Sequence, residues 1–362
     1  MKIFVMGADG YLGFPLCYEL SKTEHTVIGV DNDSRNKWVF NCGGLQDYSS
    51  SILDKCKNIH IIKGDLTDRS LVNELLKIHK PDCIIHLASQ PSMPYSDLNG
   101  ERALFTQINN ISMCVNLLWG IKENGLKSKV IITTTTGIVG QCLSSIPEAG
   151  TINGAGSWYH VSRGFDSSNC SLASRQWGQD VLELRTSIVY GLQTDLMRKD
   201  GIATRFDTDF YFGTALNRFV KQAIDGKPIQ VYGAGKQMKP FISLEDCVHS
   251  IVKSIDYPVS GHEIMNQVTD NVSIDDLAHM VNLATDCVIE HIDNPRKEKE
   301  DFKMRFVNKK FLKLLGRKPK NMKDEIKKMI EYLRPKPLLN TDFLRTCTST
   351  TWKPNFITYT TY

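Results

Sequence analysis

The residues with the clearest chemical signature come first in the chain. Gly7-Ala8-Asp9-Gly10-Tyr11-Leu12-Gly13 lies between a short apolar run at 3–6 and a helical pattern at 11–22. At this spacing Gly7 permits a tight turn, Gly10 lets a backbone approach a pyrophosphate, and Gly13 lets the helix pack close to a sheet. The unpaired N–H groups of a helix start then favour the negative charge. Asp31 ends the next apolar run, at 26–30, where a carboxylate accepts ribose hydroxyls and repels a 2′-phosphate. Together these residues predict a dinucleotide site that prefers NAD to NADP. Arg35 lies close enough to reach a phosphate and is the one nearby residue that argues the other way.

Two later segments agree with a bound dinucleotide. Gly64-Asp65-Leu66 follows a third apolar run at 59–63 and places a carboxylate where it can accept the adenine amino group. His86-Leu87-Ala88-Ser89 closes a fourth run at 83–86, and its small residues let a cofactor lie along the sheet edge. Helical spacing marks 71–78 and 109–122, and 129–133 reads as a further strand. Near-continuous apolar strands separated by helices specify a buried parallel sheet. The fold class expected is α/β, a Rossmann doubly wound parallel sheet with a smaller C-terminal substrate-binding lobe.

The second half is less regular. Residues 181–190 read as one strand, 216–225 as a helix ended by Gly226 and Pro228, and 229–232 and 241–242 as short strands before a helix at 245–255. The Lys-rich stretch 309–333 has helical apolar spacing and reads as a solvated cap helix. The division expected is a cofactor domain at 1–190, with 236–256 returning to it. Residues 191–235 and 257–335 form the substrate lobe, and the Thr-rich 336–362 an extended arm.

Composition removes several classes of function. A formal charge of +4 over 362 residues is too small to mark a nucleic-acid or membrane-surface protein, and no apolar run is long enough to span a bilayer. Ten cysteines form no CxxC pair and have no histidine at zinc-like spacing, so no metal site is expected. The first strand begins at Lys2, which leaves no room for a signal peptide; the reading is a cytoplasmic protein with free thiols.

Gly7 to Gly13, Asp65, Thr135 and Tyr159 follow the order seen in extended short-chain dehydrogenases, which this chain resembles. Such enzymes oxidise a sugar hydroxyl with a tyrosine base, assisted by Ser or Thr and by the lysine of a YxxxK motif. Here that motif reads Tyr159-His160-Val161-Ser162-Arg163, and Thr135 stands five residues before Gly140 in the segment Ile138-Val139-Gly140. A phenolate beside a cation can take a proton as hydride leaves carbon. Tyr159 and Arg163 are thereby also expected at the nicotinamide ribose.

The likeness is strongest to the UDP-sulfoquinovose synthases and runs over nearly the whole chain. It is carried by Met6 to Tyr11, Asp31-Asn32, Tyr159-His160, Asp166-Ser167-Ser168-Asn169 and Trp177-Gly178. Farther on it is carried by Phe212-Gly213-Thr214-Ala215-Leu216-Asn217-Arg218-Phe219, Val231-Tyr232-Gly233 and Asn294-Pro295-Arg296. The resemblance implies a UDP-sugar substrate, UDP-glucose above all, with sulfite or another sulfur donor, and a homodimer. It places Thr214, Ala215, Arg218, Val231 and Tyr232 around the uridine, and Lys239 and Arg296 on the diphosphate.

The sequence also departs from that pattern. Arg163 replaces the lysine and Lys239 the usual arginine; Ile138 stands where the synthases carry Glu, and Ser89-Gln90-Pro91 where they show Glu-Gln-Arg. Thr136-Gly137 replaces the Asp-Glu pair of sugar 4,6-dehydratases. A UDP-hexose 4-epimerase or related ketose-forming enzyme is therefore the alternative within enzymes. A protein that binds NAD and a nucleotide sugar without turnover is the alternative outside them.

Overall fold

Apolar runs too short for helices, divided by amphipathic segments, build one large sheet. In a computed structural model, which describes residues 1–35, 50–140, 145–150, 154–209, 211–294, 305–336 and 338, the chain alternates strands and helices. The first half contains β1 (Lys2–Met6), α1 (Gly13–Leu20), β2 (Thr26–Asp31), β3 (Ile59–Lys63), α2 (Arg69–His79), β4 (Cys83–His86), α3 (Gly100–Glu123), β5 (Lys129–Thr135) and α4 (Trp158–Trp177). Then come β6 (Val181–Thr186), β7 (Ile188–Tyr190), α5 (Ala215–Ile224), β8 (Ile229–Tyr232), β9 (Met238–Ser243), α6 (Leu244–Asp256) and β10 (His262–Gln267). The last are β11 (Asp270–Ser273), α7 (Ile274–Thr285), β12 (Ile289–Ile292), α8 (Lys309–Leu315) and α9 (Met322–Leu333).

Seven strands form a sheet in the order β10-β6-β5-β4-β1-β2-β3, with every neighbouring pair parallel. This is the doubly wound Rossmann arrangement: the order reverses between β1 and β4, and ligands bind where the carboxyl ends of those strands diverge. Ile3, Phe4, Val5, Ile84, Ile85 and Ile131 are fully buried, because helices cover both faces. Local signals set the helix ends. Asp68 caps α2 by accepting from the Ser70 and Leu71 amides, Ser157 caps α4 by accepting from His160, and Gly178 ends α4 at φ 69°.

The second lobe has its own core, in which Leu216, Phe219 and Val220 of α5 meet Val231, Leu277, Val281, Ile326 and Ile330. Beside it β9 pairs in parallel with β7 and antiparallel with β11, and β8 pairs with β12. Four sequence expectations are corrected. The strand read over 181–190 is two strands that part at Ser187, one in the large sheet and one in the small sheet. The strand β10 is an edge of the large sheet, paired with β6, so the lobe boundary read at 257 cuts off part of that sheet. The helix read over 309–333 is two helices separated at Gly316, which takes φ 68°. Nor is that region a solvated cap: Phe311, Leu315, Ile326 and Leu333 are fully buried, while most of its lysines stay on the exposed side.

The glycine turn is as tight as its spacing requires. A Cβ on Gly13 would lie 1.9 Å from the Gly7 carbonyl oxygen, whereas one on Gly10 would come no closer than 3.4 Å to it. Gly13→Ala is therefore expected to destabilise the fold by about 1–3 kcal/mol, the usual cost of overpacking. Gly10→Ala should leave stability within about 0.5 kcal/mol and weaken only the dinucleotide. Urea denaturation of the two variants separates these outcomes.

Candidate active site

One cavity of about 1320 Å³ opens at the carboxyl ends of the sheet strands and continues into the second lobe. Gly7, Gly10, Tyr11, Leu12, Gly13, Asp31, Asn32, Leu66, Leu87, Ala88 and Ser89 line its first part. Gly7 takes φ +88°, its amide donates to the Val30 carbonyl at 2.8 Å, and a Cβ there would press on Ala88. Asp31 is held at the end of β2 by amides: Asp9 N donates to Oδ2 and Asp33 N to Oδ1, each at 2.9 Å. Burial pushes its carboxyl pKa up, and those two hydrogen bonds pull it back. These groups fit an adenosine diphosphate: glycines open the space, and a carboxylate stands ready for hydroxyls.

Not every expected cofactor residue faces the cavity. Asp9 contributes its backbone amide to Asp31 rather than a wall. The Asp65 carboxylate is exposed and already accepts from Thr67 N at 2.9 Å, Thr67 Oγ1 at 2.7 Å and Asn32 Nδ2 at 3.3 Å. Tyr11 joins the turn to the second lobe, its hydroxyl donating to the Gly191 carbonyl at 2.6 Å and its own carbonyl accepting from Thr204 Oγ1 at 3.0 Å. Arg35 lines the cavity, but its guanidinium is paired with Asp207 at 2.8 Å.

Thr135 and Tyr159 meet in the middle of the cavity. Thr135 is the last residue of β5, and Tyr159 stands in the first turn of α4, its amide donating to Ser96 Oγ at 3.0 Å. Arg163 follows one helical turn later. Instead of presenting a free cation, it is 1% exposed, with Nη1 2.7 Å from Asp166 Oδ2 and Nη2 donating to the Thr133 carbonyl. Burial pulls the Arg163 pKa down, but Asp166, with Tyr159, Cys114 and Cys170 beside it, raises it further and keeps the guanidinium charged. Burial dominates at Tyr159 and pushes its pKa up; Arg163 and the hydrogen bond with Thr135 lower it, while Asp166 raises it. This corrects the expectation of a tyrosine depressed by a neighbouring cation: the cation is there, but its field is shared with a carboxylate. His86 nearby is fully buried and kept neutral, burial and Arg163 pushing it down to about 3.

Thr214, Ala215, Arg218, Tyr232 and Lys239 line the far part of the cavity. Thr214 caps α5, and Arg218, 6% exposed, donates to the Gly213 carbonyl at 2.8 Å. Val231 is a correction: it is fully buried in the second-lobe core, while Gln230 and Tyr232 on either side of it face the cavity. Alternation along β8 forces that choice, and it was the signal available in the sequence. Arg296 lies outside the described residues. The structure adds Asn109, Phe212, Asn217, Gln237 and Met238 to the wall.

Gly137, where the dehydratase carboxylate is missing, has a local reason. A Cβ there would lie 2.2 Å from His160 Nε2, so the imidazole fills the space a side chain would take. His160 Nδ1 lies 3.0 Å from Ser157 Oγ, and burial followed by Lys239 pushes the ring down to about 4. A neutral imidazole therefore forms part of the wall beside Tyr159.

Comparison with known proteins identifies the family and the fold. Residues 3–268 match the NAD dependent epimerase/dehydratase family. The chloroplastic UDP-sulfoquinovose synthase of Spinacia oleracea is 33% identical over 90% of this chain and 73% of its own length. The UDP-sulfoquinovose synthase of Sulfolobus acidocaldarius is 30% identical over 92% and 93%. Among solved structures, UDP-glucuronic acid 4-epimerase from Bacillus cereus, in complex with UDP-glucuronic acid and NAD, superposes with a TM-score of 0.75. It is 22% identical, covering 92% of this chain and 99% of that one, and shares the fold. With a family match across most of its length and synthases identical at a third of positions, the chain belongs to the NAD dependent epimerase/dehydratase family, the extended short-chain dehydrogenases.

Proposed function

We propose that this enzyme oxidises a UDP-hexose, UDP-glucose in the first instance, at C4, with Tyr159 as the base. The observation that carries the reading is the single cavity: it joins the glycine turn and Asp31 to Thr135 and Tyr159, and these to Thr214 and Arg218. NAD, when bound, supplies the hydride acceptor. Tyr159 takes the proton of the C4 hydroxyl, and Thr135 shares a hydrogen bond with that phenol and orients it. Lys239 and Arg296 are assigned to the diphosphate, and Arg218 to the uridine end.

The two synthase relatives favour a sulfur-transfer outcome with sulfite or another sulfur donor as second substrate. Ile138, 1% exposed, and Pro91 in the cavity wall favour a second reading, a 4-epimerase that stops at oxidation and return. Incubating the protein with UDP-glucose, with and without sulfite, distinguishes them. A sulfonated sugar supports the first, UDP-galactose the second, and no change despite binding a protein without turnover. A homodimer through α3 and α4 is supported by Leu104, Ile108 and Phe165, which are apolar yet 60%, 59% and 49% exposed on that helix pair. Seven free cysteines among the described residues favour a reducing compartment such as the cytoplasm. No described helix is long and apolar enough to cross a membrane.

Asp31 predicts NAD bound at least tenfold tighter than NADP, about 1.4 kcal/mol or more; equal affinities by calorimetry would remove Asp31 from the ribose. Lys239→Ala or Arg296→Ala should weaken UDP by about 1.5–3 kcal/mol and leave NAD nearly unchanged; UDP affinity equal to wild type would put that cation outside the diphosphate site. Because burial holds the Tyr159 hydroxyl above its ordinary value of about 10, the oxidation rate should climb with pH through the alkaline range without a plateau below that value. Tyr159→Phe should abolish it. Arg163→Lys should give equal or higher turnover, since an ammonium is compact enough to reach a ribose hydroxyl. Lost activity in a folded Arg163→Lys would show that the arginine has a task of its own.

A further inference from the structure

Arg35 poses a problem for any NAD-selective reading of this pocket. It stands four residues after Asp31: the Asp33 amide donates to Asp31 Oδ1 at 2.9 Å and the Ser34 amide to Asn32 Oδ1 at 3.0 Å, which folds the chain so that Arg35 and Asp31 line the same cavity. A guanidinium so placed is the group best suited to a 2′-phosphate, because its planar fork matches phosphate oxygens. Yet the side chain is only 18% exposed and faces the second lobe. Its Nη2 lies 2.8 Å from Asp207 Oδ2, and its carbon centre stands 3.9 Å from the Phe212 ring centroid.

We propose that Asp207 is a specificity-determining residue for the cofactor: it holds Arg35 away from the adenosine ribose, so that a 2′-phosphate meets the Asp31 carboxylate without a guanidinium to neutralise it. Three features make the hold firm. Asp207 is itself fixed, since its carbonyl accepts from Asn217 Nδ2 at 2.8 Å on α5. Phe212 covers the guanidinium face, an attraction that strengthens when water is excluded. Arg205 also pairs with Asp207, at 3.0 Å, and so pins the carboxylate in the position where Arg35 meets it. The selectivity of the cofactor site is thereby written partly in the substrate lobe, about a hundred and seventy residues away in sequence.

The test measures NAD and NADP affinities of the full chain by calorimetry and reads their ratio, which a general loss of folding does not move in one direction. In Asp207→Asn the preference for NAD should narrow by about tenfold, because Arg35 is released, and Arg35→Ala added to that variant should restore it. Arg35→Ala alone should keep the ratio within about twofold of wild type, since the guanidinium is already withheld. Should Arg35→Ala alone sharpen the preference for NAD, Arg35 was already serving the phosphate and the proposal fails. It also fails if Asp207→Asn weakens both cofactors by the same factor. A wild type with no preference at all would instead overturn the role of Asp31.

Discussion

Burying the Arg163 guanidinium is possible only because Asp166 lies 2.7 Å away and the Thr133 carbonyl accepts from its other nitrogen. Taking either charge out of water alone costs several kcal/mol, and removing one partner of such a pair typically costs about 3–5 kcal/mol. Both partners stand on α4, and the Arg163 bond to the Thr133 carbonyl ties that helix to β5, the two elements that carry Tyr159 and Thr135. The positions of the proposed base and its hydroxyl partner therefore depend on that guanidinium. The same pair limits the chemistry: a cation satisfied by a carboxylate does less to stabilise a phenolate than a free one. In the proposed reaction, proton removal by Tyr159 then leans on pH and on the hydrogen bond with Thr135.

The glycine turn has two tasks. It opens the space a pyrophosphate needs, and through Tyr11 it is bonded to Gly191 and Thr204 at the start of the second lobe. Arg35 and Asp207 make a second link across the same junction. A cofactor site tied so directly to the lobe that carries Thr214 and Arg218 keeps the two ligand positions in fixed relation. Hydride transfer requires that, because reacting atoms must sit within about 3–3.5 Å.

How much of this was legible depended on whether the signal was local. The turn from Gly7 to Gly13 and the carboxylate of Asp31 could be read because each glycine answers a backbone demand within a few residues. The helix starts at Asp68, Ser157 and Thr214 are equally local, each a side chain accepting from amides two or three positions on. The resemblance to the YxxxK motif puts Arg163 beside Tyr159, but its orientation depends on Asp166 and on a carbonyl thirty residues earlier in another element. The pairing of Arg35 has no local signal for the same reason, since Asp207 is distant in sequence. Val231 was different: the alternation that turns it into the core was present in 229–232, and family likeness overrode it. The two-helix C-terminal region also carried its own warning, because Gly316 interrupts the apolar pattern at a left-handed turn. The assignment of β10 to the large sheet had no local signal; only its register with β6 decides it.

In the proposed reaction a hydride leaves C4 of the sugar as Tyr159 takes the hydroxyl proton. Single-turnover absorbance of reduced nicotinamide, followed with UDP-glucose carrying either hydrogen or deuterium at C4, tests it most directly. The reduced cofactor should form several-fold more slowly with deuterium, the label should be found on the nicotinamide, and Tyr159→Phe should form none. Product formed at equal rates from both substrates, with the deuterium still on the sugar and no reduced cofactor at any time, would contradict it.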